Sequence, residues 1–218
     1  MLAHASAQRP AKLIADAAKA HLQPIGCRRV GRSRTWISDQ RYWLIVIEFQ
    51  PSSWQRGTYL NVGAMWLWRA RKGHAFHAGY RIGHFLPYYS SEQFSPAVNG
   101  LAAQAAQEVQ SRREQFKSLN DIYRYLVDDT SEKNWQIFHA AIAAGLVGDI
   151  DNARRLFEIF DAMPIRSVQW QIELRNKNAA LAAQLDRPSL FRASVLEIIQ
   201  ECRRLNDLPV DPGCLDAA

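Results

Sequence analysis

A chain of 218 residues supports one or two domains of ordinary size, and a make-up of 48% hydrophobic, 22% charged and 11% aromatic residues suits a protein that buries a core. This excludes a disordered, collagen-like or disulfide-scaffold chain, and no uncharged apolar run nears the roughly 20 residues of a membrane helix. The net charge of +6 hides a split, because residues 1–96 hold 13 Lys+Arg against 4 Asp+Glu while residues 97–218 hold 14 against 17.

A basic front half suits nucleic acid, anionic lipid or an acidic protein, or else docks on the acidic rear half of its own chain. The opening MLAHASAQRPAK has no apolar core of signal-peptide length. Cys27, Cys202 and Cys214 are odd in number and scattered, with no CxxC or Cys/His zinc spacing. The reading is a reduced, cytoplasmic protein with unpaired thiols.

In chain order, Pro10 starts a helical pattern in which Leu13, Ile14, Ala17, Ala18 and Leu22 recur on one face, stopped by Pro24 and Gly26. Strands are then predicted over 34–38, 42–49, 58–68 and 74–85, separated by turns and the 51–57 loop. Short connections make these four an antiparallel meander, with the first helix as its cover. Residues 87–96 read as punctuation because Pro87 and Pro96 bracket them. Helices follow over 97–116, 118–128, 131–146, 149–163, 167–186 and 189–206. Ser131 and Asp149 are candidate N-caps, and Gly145, Gly148, Pro164 and Pro188 are candidate stops. The stretch 140–157 resembles one turn of an α-solenoid, but with no second copy it reads as a local helical hairpin. The expected architecture is α+β, an antiparallel sheet of about four strands covered by an N-terminal helix and followed by an all-helical C-terminal half. The expected division is 1–96 for the helix and sheet, and 97–218 for a helical region packed on or beside it, or continuous with it.

Alternation places Trp43, Ile45, Ile47 and Phe49 on one face of the second strand and Tyr42, Leu44, Val46, Glu48 and Gln50 on the other. Leu60, Val62, Ala64 and Trp66 share a face of the third strand, opposite Tyr59, Asn61, Gly63 and Met65. Pairing across the 51–57 loop gathers Glu48, Gln50 and Asn61 at one end of the sheet. There they either line a shallow cleft, with Ser52, Ser53 and Trp54 at its rim, or ring a solvated sheet edge. His74 and His84 share one side of the fourth strand and His77 the other, so the three have no common metal geometry. No GxSxG, P-loop or GxGxxG occurs. Neither a metal nor a cofactor is implied. Five of seven Trp fall between Trp36 and Trp68, interleaved with arginines, which fits either stacking on single-stranded nucleic acid or a core with Arg stems lying along it.

Several short motifs point to a family. Leu22-Gln-Pro-Ile-Gly26 ends the first helix, and Arg28-Arg29 leads into Arg34-Thr35-Trp36. Trp43-Leu-Ile-Val-Ile-Glu-Phe-Gln50 is followed by Ser52-Ser53, then by Tyr59-Leu-Asn-Val-Gly63. Over roughly residues 10–130 this resembles the bacterial domain of unknown function family 4304. Cys27 stands where Phe is usual, and Pro51 where a basic or small residue is common. The resemblance implies an α+β sheet domain and no established activity, and it marks Gln50, Ser52 and Asn61.

The leading expectation is a non-catalytic cytoplasmic recognition protein of immunity or adaptor type, binding a protein partner through Glu48, Gln50, Ser52, Trp54 and Asn61. Single-stranded nucleic-acid binding by the basic, Trp-rich front half is one alternative. The other is an enzyme with a site at Glu48, Gln50, Asn61 and His77. No membrane partner is expected.

Overall fold

The computed structural model describes residues 9–128, 134–164 and 168–216. The expected α+β architecture is present. Helix α1 (Pro10–Leu22) leads into β1 (Arg28–Arg29), β2 (Thr35–Asp39), β3 (Trp43–Gln50), β4 (Gly57–Trp66) and β5 (Ala78–Pro87). These strands form one antiparallel sheet in the order β1-β2-β3-β4-β5. The helices α2 (Ser91–Gln115), α3 (Leu119–Asp128), α4 (Asn134–Val147), α5 (Ile150–Ala162), α6 (Gln169–Ala182) and α7 (Pro188–Leu205) follow. The strand beyond the expected four is β1, whose two residues pair with Ile37 and Trp36 and are too few to show a period.

The chain divides into two compact units. One holds the described residues up to Met65 together with His74–Glu114, and the other holds Trp66–Gly73 with the described residues from Gln115 onward. Helix α2, placed by the sequence reading at the head of the rear half, thus falls almost wholly in the first unit.

In the first unit, α1 buries Leu13, Ile14, Ala17, Ala18 and Leu22, the face that the 3.6-residue period selects. One sheet face carries Trp36, Trp43, Ile45, Ile47, Leu60 and Val62, all buried. Helix α1 lies over its β1–β2 side, where Ala15, Lys19 and Gln23 share a surface hollow with Arg28, Arg29 and Trp36. Helix α2 lies on the same face. Arg113 Nη2 donates to Ser38 Oγ at 2.8 Å, and Tyr80 Oη donates to Glu108 Oε2 at 3.0 Å.

The mixed outer face expected for β3 needs correction. Tyr42, Leu44 and Val46 are buried as well, and only Glu48 and Gln50 at the strand's end are partly open. A central strand covered on both sides reads as a continuous apolar run, as 43–47 does. Part of that second cover is the segment before β5. The amide of Ala75 donates to Met65 Sδ at 3.4 Å, and the Phe76 ring lies 3.0 Å from where a Cβ on Gly63 would stand.

Two further expectations fail at element ends. Strand β5 starts at Ala78, so His74 and His77 precede it, although the His77 amide already donates to Ala64 O at 2.8 Å. Helix α2 starts at Ser91, within the stretch read as punctuation. Ser90 caps it by accepting the Gln93 N–H on Oγ, and Pro96 sits in its second turn, where the missing N–H forfeits one hydrogen bond.

The second unit is helical after its Trp66–Gly73 lead. Asp149 is the expected N-cap of α5, accepting the Asn152 N–H at 3.2 Å, and Tyr123 Oη donates to its other oxygen. Gly148, at φ +86°, closes α4. Gly145 does not end that helix. It lies inside α4, at a point where a Cβ would come within 2.6 Å of the Phe191 ring of α7. Pro188 opens α7 as its first residue. Ser131, the other expected cap, lies outside the described residues.

Candidate partner-recognition surface

Strand period and sheet order together build the polar cluster. Glu48 and Gln50 are two residues apart on β3, and Asn61 reaches both from β4. Its Nδ2 donates to Gln50 Oε1 at 2.9 Å and to Glu48 Oε2 at 3.2 Å. The sequence reading gathered these three, and they do meet.

It missed Arg81 on β5. Arg81 Nη2 donates to Gln50 Oε1 at 2.9 Å, Nε to Asn61 Oδ1 at 3.4 Å, and the guanidinium lies 3.9 Å from the centre of the Tyr59 ring. Tyr59 in turn packs on Phe85 with centroids 4.9 Å apart. Counting back from a uniform register misplaces Arg81, since Thr58 pairs with Leu86 but Leu60 with Ile82, a bulge with Gly83 at φ +61°. The only signal in the sequence was that glycine.

Among the described residues Arg81 and Glu48 form no ion pair; Asn61 stands between them and bonds to both. A carboxylate, two amides and a guanidinium held this way offer fixed donors and acceptors for recognition. They supply no nucleophile with an adjoining base. His77, named for the enzymatic reading, lies beside Ala64 before β5 begins.

Ser52 and Trp54 sit on the loop between β3 and β4. They are joined to each other, the Trp54 N–H donating to Ser52 Oγ at 3.1 Å, and among the described residues neither bonds to the polar cluster. Trp54 is 95% exposed. Next to this loop runs the chain after β5, whose Tyr88 N–H donates to Arg56 O at 2.9 Å, and Tyr89 there is 72% exposed. Of the five Trp between Trp36 and Trp68, Trp54 alone is open; Trp36, Trp43, Trp66 and Trp68 are buried.

Cys27, Cys202 and Cys214 are buried and form no disulfide among the described residues, and burial raises the thiols of Cys27 and Cys202 above their ordinary value. They act as packing groups. Among the described residues no three His, Cys, Asp or Glu gather as a metal site, and no helix is long and apolar enough to cross a membrane. No protein-family model, curated protein or solved structure matches the chain.

Proposed function

We propose that the chain is a cytoplasmic recognition protein whose first unit binds a protein partner without catalysis, in an immunity or adaptor role. Trp54 carries this reading. An indole that exposed leaves about 4–6 kcal/mol of burial free energy unused in the isolated chain. Its backbone is held by Ser52, so little order is lost on docking. Arg56 beside it is exposed, and Tyr89 flanks it from the next segment. Trp, Tyr and Arg are the side chains that dominate binding hot spots. The hydrogen-bonded set Glu48, Gln50, Asn61 and Arg81 adds a polar rim elsewhere on the sheet. The partner presents an apolar pocket for the indole, with carboxylates for Arg56.

Stacking on single-stranded nucleic acid is less well supported, because four of the five tryptophans in the basic stretch are inside. Affinity capture with the full chain, compared with Trp54→Ala and Arg56→Ala, tests the proposal. Loss of the same captured protein in both variants supports it. Unchanged capture, or capture only of nucleic acid with a steep salt dependence, overturns it.

A further inference from the structure

The second unit contains a feature that the partner-binding reading does not use. A cavity of about 210 Å³ is lined by Trp68, Arg69, Arg71, Phe138, Trp170 and Lys177, with Glu173 at its side. The segment leaving β4 supplies the two arginines, α4 the Phe138 ring, and α6 the indole, the acid and the lysine.

Arg69 is locked in place. Its guanidinium lies 3.6 Å from the centre of the Trp135 ring, and Trp135 stacks on Trp170 at 5.3 Å with the planes 19° apart. Among the described residues, however, no acceptor or carboxylate meets the guanidinium of Arg69 or that of Arg71. Burial, with the charge of Arg71 adding to it, pulls Arg69 down to about 10. Two like charges, partly removed from water and close enough to repel, are an arrangement that an anion relieves.

The lining also fixes the charge of that anion. Lys177 is one helical turn beyond Glu173, the spacing at which the two would pair. Instead Glu173 Oε1 accepts from Gln169 Nε2 at 2.9 Å, and Lys177 is left to the field of Glu201, which Arg204 already grips at 2.6 Å and 2.8 Å. Three cations against one carboxylate leave room for a dianion. Guanidinium pairs suit a phosphate geometrically, and the lysine adds a point charge. Beside the charges stands an apolar wall, because Trp170, 48% exposed, and Phe138 both line the cavity.

We infer that this cavity binds a small phosphate monoester carrying a planar ring, of mononucleotide size. The phosphate sits on Arg69, Arg71 and Lys177, and the ring stacks on Trp170. Glu173 keeps Oε2 open to accept a ring amino group. Either half alone is incomplete: free phosphate lacks the stacking, and a nucleoside lacks the charge.

The test is calorimetric titration of the full chain with AMP, adenosine and inorganic phosphate. AMP is expected to bind at a single site, at least about tenfold tighter than either of the others. Arg71→Gln and Lys177→Gln, whose side chains carry no internal hydrogen bond, each weaken AMP about tenfold or more at unchanged melting temperature. Trp170→Leu weakens AMP while leaving phosphate as before. Equal affinity for AMP and phosphate, no binding by any of the three, or wild-type affinity in both charge variants overturns the inference.

Discussion

Arginines at the two candidate sites are treated in opposite ways. In the first unit, Arg29 holds the 30–34 turn by donating to Ser33 O and Arg32 O, Arg113 ties Ile25 O to Ser38, and Arg81 completes the amide cluster. Their donors are spent on the chain itself. In the second, Arg154, Arg203 and Arg204 are spent likewise, but Arg69 is stacked and partly desolvated, and among the described residues neither its guanidinium nor that of Arg71 beside it meets an acceptor. Among the described residues the Arg56 guanidinium also meets no acceptor, but it is exposed, where water satisfies it. The informative feature is therefore burial without a counter-charge. Where guanidinium groups hold the protein together, recognition falls to shape and aromatic surface, as at Trp54. Where they are left unanswered inside a cavity, it falls to charge.

This contrast requires that both units be well packed, so that an exposed Trp or an unpaired Arg reflects design rather than looseness. The largest effect should come from the sheet core. Trp43 is 2% exposed at the centre of the meander, and Trp43→Ala should cost about 3–5 kcal/mol in urea unfolding. A loss below about 1 kcal/mol would mean that the first unit is loosely packed, and Trp54 would then lose its significance.

The corresponding test in the second unit is Gly145→Ala. The new methyl group would stand 2.6 Å from the Phe191 ring, so α7 must shift or strain, and about 1–3 kcal/mol should be lost. On an ordinary helix the same change would stabilise by a few tenths to about 1 kcal/mol. A stabilised variant would show that α4 and α7 are not tightly apposed, and the part of the cavity wall built from Phe138 of α4 and Ile198 of α7, which also lines it, would be undermined. Asp149→Ala should come next, at about 1 kcal/mol, since it removes the cap on Asn152 and leaves the Tyr123 hydroxyl only the bond it accepts from Asn152 Nδ2. Tyr123 also gives that cap a pH signature. Burial first, and the bond to Asp149 second, raise its phenol above the usual value, so its contribution is complete below about pH 10 and falls away at higher pH. Tyr123→Phe should flatten that alkaline loss in thermal unfolding scans.

What was legible in the sequence follows from how local each signal is. The bounds of α1 and the hairpin at Gly148 and Asp149 depend on residues within one turn of each other, and both were readable. Glu48, Gln50 and Asn61 followed from period two and a short loop. Residues 74–77 read as strand because their composition fits one, but the sheet pairs from Ala78 onward. Pro96 read as the end of a punctuation stretch because Pro87 and Pro96 bracket it; inside a 25-residue helix capped by Ser90 its one lost hydrogen bond is small. Arg81 was hidden by a bulge that shifts the register. The Arg69–Arg71–Lys177 constellation joins segments a hundred residues apart, and only packing brings them together.

The smallest expected effect on stability belongs to the residue that matters most for the proposed function. Trp54 packs on almost nothing, so Trp54→Ala should change unfolding free energy by no more than about 0.5 kcal/mol. Its backbone N–H to Ser52 Oγ survives the substitution, so the loop keeps its shape. Partner affinity should nonetheless fall by about 2 kcal/mol or more, roughly thirtyfold, as expected when a buried aromatic anchor is removed from an interface. The same variant should leave AMP binding at the second unit untouched, because Trp54 does not line that cavity. Arg71→Gln should do the reverse, weakening AMP and leaving the partner bound. If one variant impaired both, the two units would not be separate recognition elements, and the division of labour drawn from their arginines would be lost.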